Sequence, residues 1–110
     1  MKLVSNHINI NAQNIGGKAA LHFAVISKSK EMTEYLILNG ADVNIQDLSG
    51  WTALHYSAEL NLPDIAEILI SHGAVINVKD KNGKTPLDQA KKWKIKQMQE
   101  ILLSHGANTS

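Results

Sequence analysis

The chain has 110 residues, 44% of them apolar, with a formal net charge of +1 and no cysteine. That length and apolar share fit one folded domain, and without thiols there is neither a disulfide framework nor a thiolate zinc site. The opening Met1-Lys2-Leu3-Val4-Ser5-Asn6 has no apolar core of signal-peptide length. No uncharged apolar run approaches the roughly 18 residues of a membrane span. A soluble, intracellular and cytoplasmic chain with no membrane contact is expected.

From the N-terminus, residues 1–13 read as the tail of an incomplete unit, because Leu3 to Asn11 lies 33 residues before Leu36 to Asn44 and repeats its pattern. Residues 14–46 then hold Gly17-Lys18-Ala19-Ala20-Leu21-His22 and Asn39-Gly40-Ala41. Residues 47–79 hold Gly50-Trp51-Thr52-Ala53-Leu54-His55 and His72-Gly73-Ala74. Residues 80–110 hold Gly83-Lys84-Thr85-Pro86-Leu87-Asp88 and His105-Gly106-Ala107. Two independent blocks share one 33-residue step, each seen three times. A fixed period of this size means stacked small units, and it moves the search for function from a buried pocket to an extended surface.

The middle unit shows how each is built. Asp47-Leu48-Ser49-Gly50 is a turn-forming cluster. Thr52 reads as a helix N-cap, and Pro86 in the next unit suits a first helical position. The pattern predicts a short helix from about Ala53 to Leu60, with a small-residue face of Ala53, Ser57 and Ala58. Asn61-Leu62-Pro63-Asp64 breaks it and starts another helix. There Ile65, Ile68 and Leu69 form one apolar stripe. Its counterparts are Met32, Tyr35 and Leu36 before it and Met98, Ile101 and Leu102 after it. Gly40, Gly73 and Gly106 stand where a helix takes a left-handed closing residue. Asp42-Val43-Asn44 and Val75-Ile76-Asn77 read as extended exits.

Gly50-x-Thr52-Ala53-Leu54-His55, Gly83-x-Thr85-Pro86-Leu87 and Leu69 to Asn77 resemble the ankyrin repeat. The resemblance implies an all-α solenoid of helix-turn-helix units joined by β-turn fingers, non-catalytic and acting by protein–protein interaction. Some positions depart from the pattern. Ala19-Ala20 lacks the capping hydroxyl, worth about 1 kcal/mol. His7 stands where the glycine would be, and Lys28, Asn61 and Lys94 occupy an inter-helix position that usually holds glycine. Asp88 replaces the histidine in a Lys-rich last unit, which resembles a closing cap. The N-terminal side has no such cap, so the chain is expected either to be part of a longer array or to be weakest at that end.

Five histidines invite thoughts of metal, but His22 and His55 share one repeat position and His72 and His105 another. Repetition points to scaffold, since a catalytic histidine is needed once. The resemblance implies that His22 and His55 bond within the turn and join units, while His72 and His105 suit the last helical turn. Asp47 and Asp80 read as turn caps. No nucleophile–base pair, phosphate-cradling loop, metal site or cofactor motif is visible.

The resemblance implies partner docking on the turn tips and on the face lined by first helices. Carried over by position, this selects Ile15, Lys18, Ile26, Leu48, Ser49, Trp51, Tyr56, Glu59, Leu60, Lys81, Lys84, Lys92 and Trp93. Gly16, Phe23, Ser27, Asn82 and Gln89 share the same positions. Leu48, Trp51, Ile15 and Lys18 are expected to form one strip, with Trp51 as an exposed anchor. Trp93 reads either as part of this surface or as a lid over the end of the stack.

Charge is uneven. Seven Lys against Asp80, Asp88 and Glu100 leave residues 78–110 at +4, whereas four Lys against seven acids leave residues 1–77 at −3. The Lys-rich end reads first as a solubilising cap and second as a site for an acidic protein partner. With no arginine and few aromatic residues, nucleic acid is disfavoured. The expected molecule is a monomeric or weakly associating binding module. Its alternatives are a recruitment or regulatory domain of a larger enzyme or receptor and, behind that, a nucleic-acid-associated protein.

Overall fold

Turn and cap residues set where each helix begins and ends. The computed structural model describes residues 9–108, so His7 and most of the predicted partial unit lie outside the described residues. Six helices follow in order: α1 Ala20–Ile26, α2 Lys30–Leu38, α3 Ala53–Glu59, α4 Pro63–Ser71, α5 Pro86–Lys92 and α6 Lys96–Ser104. No strand occurs among the described residues. Thr52 and Thr85 cap α3 and α5 by accepting the N–H of His55 and Asp88, and Ser29 caps α2 through the N–H of Met32. Ala19 has no hydroxyl to offer α1.

Each helix pair closes in the same way. Lys28, Asn61 and Lys94 take φ of 64°, 55° and 55°. This left-handed residue turns the chain so that the N–H of Ser29, Leu62 and Ile95 each reaches the carbonyl five residues back, at 2.9 Å. A lysine here holds a conformation that costs a side-chain-bearing residue free energy.

The pairs stack into an elongated body with extents of 48 × 25 × 21 Å. First helices lie side by side in the order α1, α3, α5, and second helices in the order α2, α4, α6. Ala24, Ala53, Ala58 and Ala90 are almost fully buried between them and allow close approach. Leu21, Leu54 and Leu87 fill the first layer; Leu36, Leu69 and Leu102 fill the second. At roughly 1.5–3 kcal/mol for each large apolar side chain, this burial drives assembly of helices too short to stand alone.

Three expectations change. Val43-Asn44 and Ile76-Asn77 form turns, not extended exits, because backbone and asparagine bonds curl the chain there. Met32 and Tyr35 are exposed, although their counterparts Ile65 and Met98 are buried and Ile68 and Ile101 half-buried. Those counterparts face a preceding helix pair, and no pair precedes α1–α2 among the described residues. His72 and His105 cap α4 and α6 just beyond the last helical residue. Gly40, Gly73 and Gly106 do take positive φ.

Candidate functional site

The surface begins with the loops between helix pairs, each of which is a hydrogen-bonded finger. Asp47 Oδ1 accepts the N–H of Ser49 and of Trp51, both at 2.9 Å, and Asp47 N–H donates to the Trp51 carbonyl. Asp80 repeats this with the N–H of Asn82 and Lys84, both at 2.8 Å. The two aspartates are therefore turn caps. Fingers are tied tip to tip: Leu48 N–H donates to Gly16 O at 3.1 Å, and Lys81 N–H to Ser49 O at 3.0 Å.

Side chains tie the units at the same 33-residue rhythm. Asn11, Asn44 and Asn77 each donate to a carbonyl at the close of the next helix pair (Gly40, Gly73, Gly106) and accept an N–H two residues further on. Gln13 and Gln46 bridge the carbonyl of their own finger to that of the next, Gln46 and Lys79. The sequence shows these residues in phase, but asparagine and glutamine in loops carry no signal that distinguishes a tie between units from local turn chemistry.

The histidines of the first helices behave as the resemblance implies. Nδ1 of His22 and His55 accepts the N–H of Ala19 and Thr52. This leaves Nε2–H to donate to the next unit, to Trp51 O at 2.9 Å and Lys84 O at 3.0 Å. Burial pushes the His55 pKa down, and its bond to the Lys84 carbonyl only partly offsets that, so the ring is held neutral. Asp88 keeps the local bond, taking the Thr85 N–H and hydroxyl, but a carboxylate has no N–H to reach onward.

Trp51 is not the free anchor expected at a tip. It is half-buried, donates Nε1–H to Asp80 Oδ2 at 2.8 Å, stacks on His55 at 5.4 Å and meets Tyr56 edge-on at 4.7 Å. The next finger supplies its partner, and register between units decides this. Tyr56 donates its hydroxyl to Asp47 Oδ2, and Lys18 lies 3.6 Å from the same oxygen and over the Tyr56 ring. Burial raises the Asp47 and Asp80 carboxyls, yet the hydrogen bonds from Tyr56 and from Trp51 and the finger N–H groups outweigh it and hold both below the ordinary carboxylate value. Burial and the neighbouring Asp47 carboxylate push the Tyr56 phenol well up.

The tips remain apolar and open: Ile15 is 98% exposed and Leu48 61%. Phe23, Ser27, Lys81, Lys84 and Lys92 are exposed as well, while Ile26, Glu59 and Leu60 are half-buried. Trp93 caps α5, is 54% exposed and carries Lys92 Nζ 5.2 Å from its ring centre, so it does not fold over the stack as a lid. Gln89 is buried where an exposed residue was expected. Between α3, α5 and their fingers an open groove of about 790 Å³ brings together Ser49, Trp51, Tyr56, Glu59, Lys84 and Lys92. Among the described residues no cluster of three His, Asp or Glu could hold a metal, and no helix is long and apolar enough to cross a membrane.

A family model described as ankyrin repeats (3 copies) matches residues 1–80 and again residues 21–110. The chain belongs to the ankyrin-repeat family. No curated protein sequence matches it. Ankyrin repeats are in general protein–protein interaction modules, and the family is typically non-catalytic. The all-α solenoid expected from the sequence stands.

Proposed function

We propose that this ankyrin chain is a non-catalytic binding module that takes a protein partner on its finger tips and in the groove between α3 and α5. One observation carries the reading: residues from two fingers and two helices, Ser49, Trp51, Tyr56, Glu59, Lys84 and Lys92, line a single open groove. Aromatic surface with a polar rim is the usual composition of a binding hot spot. The joined tips extend this surface with the exposed Leu48 and Ile15. Trp51 contributes its ring to the wall while its indole N–H is held by Asp80. A cysteine-free chain suits a reducing compartment such as the cytoplasm.

Ser49 is exposed at the groove mouth and its hydroxyl makes no hydrogen bond among the described residues, so Ser49→Tyr fills the groove without disturbing the finger. Partner capture is expected to fall while the melting temperature stays unchanged. Equal capture by the wild type and the filled variant, at equal stability, refutes the assignment of the groove.

A further inference from the structure

Four positions of the first helix pair are exposed although both of their counterparts are covered. Ala20, Phe23, Met32 and Tyr35 lie open. Ala53 and Pro86, Tyr56 and Gln89, Ile65 and Met98, and Ile68 and Ile101, which stand 33 and 66 residues later, are buried or half-buried. The pairs α3–α4 and α5–α6 each pack on the pair before them. The α1–α2 pair thus presents the same receiving face, with no pair on it among the described residues. Phe23, Met32 and Tyr35 make that face apolar.

The first finger carries the matching polar groups. A carbonyl oxygen has two lone pairs to offer. Trp51 O accepts the Asp47 N–H and His22 Nε2–H, and Lys84 O accepts the Asp80 N–H and His55 Nε2–H. Lys18 O, at the same position, accepts the Asn14 N–H and no other donor among the described residues. The N–H groups of Leu48 and Lys81 reach the tip of the preceding finger, while the N–H of Ile15 has no partner among the described residues. One seam is already made, because Asn11 bonds to Gly40 and Asp42. What the face still lacks is a helix pair with its finger tip, bringing an N–H donor to Lys18 O and a carbonyl to the Ile15 N–H.

The opposite face is closed to a further unit. Val25 and Ala58 are fully buried, whereas Lys91 at their position is exposed, and covering it would strip its ammonium of water. Thr33 and Ala66 are fully buried too, and Gln99 replaces them with its amide turned back to the Ala90 carbonyl. Asp88 has no N–H to hand on. A polar outer face of this kind is how a terminal repeat closes a stack. A second copy of this chain therefore does not fit the α1–α2 face, because it would set the Asp88 carboxylate against Lys18 O and bury Lys91. We propose that the α1–α2 face receives the last ankyrin-type helix pair of another protein chain. That pair keeps a histidine at the place of His22 and His55, Val or Ala at that of Val25 and Ala58, and Thr or Ala at that of Thr33 and Ala66. This chain then extends its partner's stack and closes it with α5–α6. The face is separate from the groove between α3 and α5.

The test uses a probe built from this chain. Asp88→His, Lys91→Ala and Gln99→Ala open its closing face, and Met32→Lys with Tyr35→Lys block its own receiving face. Circular dichroism checks that it folds, and a probe without Gln99→Ala replaces it if it does not. Sedimentation velocity of the probe mixed with the unaltered chain is expected to show a one-to-one complex and nothing larger, while each alone stays a monomer. Tyr35→Lys in the unaltered chain weakens the complex about tenfold or more. A probe that keeps Asp88 but carries the other changes also binds about tenfold more weakly. The proposal is overturned if a folded probe forms no complex, if the complex survives Tyr35→Lys, or if the probe that keeps Asp88 binds equally well. A dimer of the unaltered chain that Tyr35→Lys dissociates overturns it in favour of a second copy. Probe binding that appears only after deletion of residues 1–8 overturns it in favour of the chain's own N-terminal segment.

Discussion

The finger at residues 47–52 and the finger at residues 80–85 have nearly the same backbone, and they are constrained very differently. Gly50 and Gly83 take φ of 80° and 78°. Both aspartates cap their turns through the same two N–H groups. Yet a Cβ built on Gly50 would meet Lys81 N at 2.8 Å and Asp80 Cα at 2.9 Å, while one built on Gly83 meets nothing within 4 Å. Gly50 therefore answers two demands, backbone conformation and the approach of the next finger, while Gly83, over which no further finger lies among the described residues, answers only the first. A repeated motif records what the units share. What each unit must tolerate depends on whether another finger lies over it.

The strongest challenge to this comparison is in the core. Leu54→Ala should cost about 2–5 kcal/mol, because α3 is packed between α1 and α5 and can collapse toward neither. Leu87→Ala, in α5, which has a neighbouring first helix on one side only among the described residues, should cost less, and urea denaturation of the pair would show it; equal losses would break the distinction between the two helices. Next come the glycines. Gly83→Ala should lose about 1–2 kcal/mol from the left-handed conformation alone. Gly50→Ala should lose more, since rigid backbone stands where the methyl group must go, and similar midpoints would mean that the fingers separate freely. Trp51→Phe follows, at about 1 kcal/mol, through loss of the indole bond to Asp80; a thermal melt matching the wild type would show that this bond adds nothing to the stack.

The smallest effect is on pH dependence. His55 has its folded pKa below the ordinary 6.5, and Asp47 and Asp80 have theirs below 3.8. In all three the unfolded chain binds the proton more readily. The stability they contribute is therefore full above the unfolded value and is lost as pH falls through the folded one. Stability should decline first below about pH 6.5 as His55 takes up its proton, and again at carboxylate pH. His55→Gln should flatten the first decline and leave the second; an unchanged profile would remove the neutral ring from the account.

The period made much of this legible in advance. Caps at Thr52 and Thr85, the break at Asn61 and the layers of Leu21, Leu54 and Leu87 follow from positions that recur, and the linking role of His22 and His55 follows from the family resemblance. What the sequence concealed depends on neighbours. Met32 matches Ile65 in phase but differs in burial, because burial belongs to the stack and not to the unit. Trp51 reads as a tip residue until the next finger brings Asp80 to its indole. Gln89 occupies a position chosen for exposure, and only the packed helices show a buried side chain there.

The asparagine ties at Asn11, Asn44 and Asn77 bear on a different property, the response to pulling. Asn44 and Asn77 each hold one helix pair to the next, and Asn11 holds the segment before α1 to the close of α2, through main-chain groups at a single seam. Tension applied to the two ends runs through these seams in series, so the stack should yield by releasing pairs one after another. Each release would pay out a 33-residue length, roughly 110 Å of extended chain. The same bonds that make the repeats cohere thus divide the molecule into equal extensible links, and a force trace would read the period directly as evenly spaced steps.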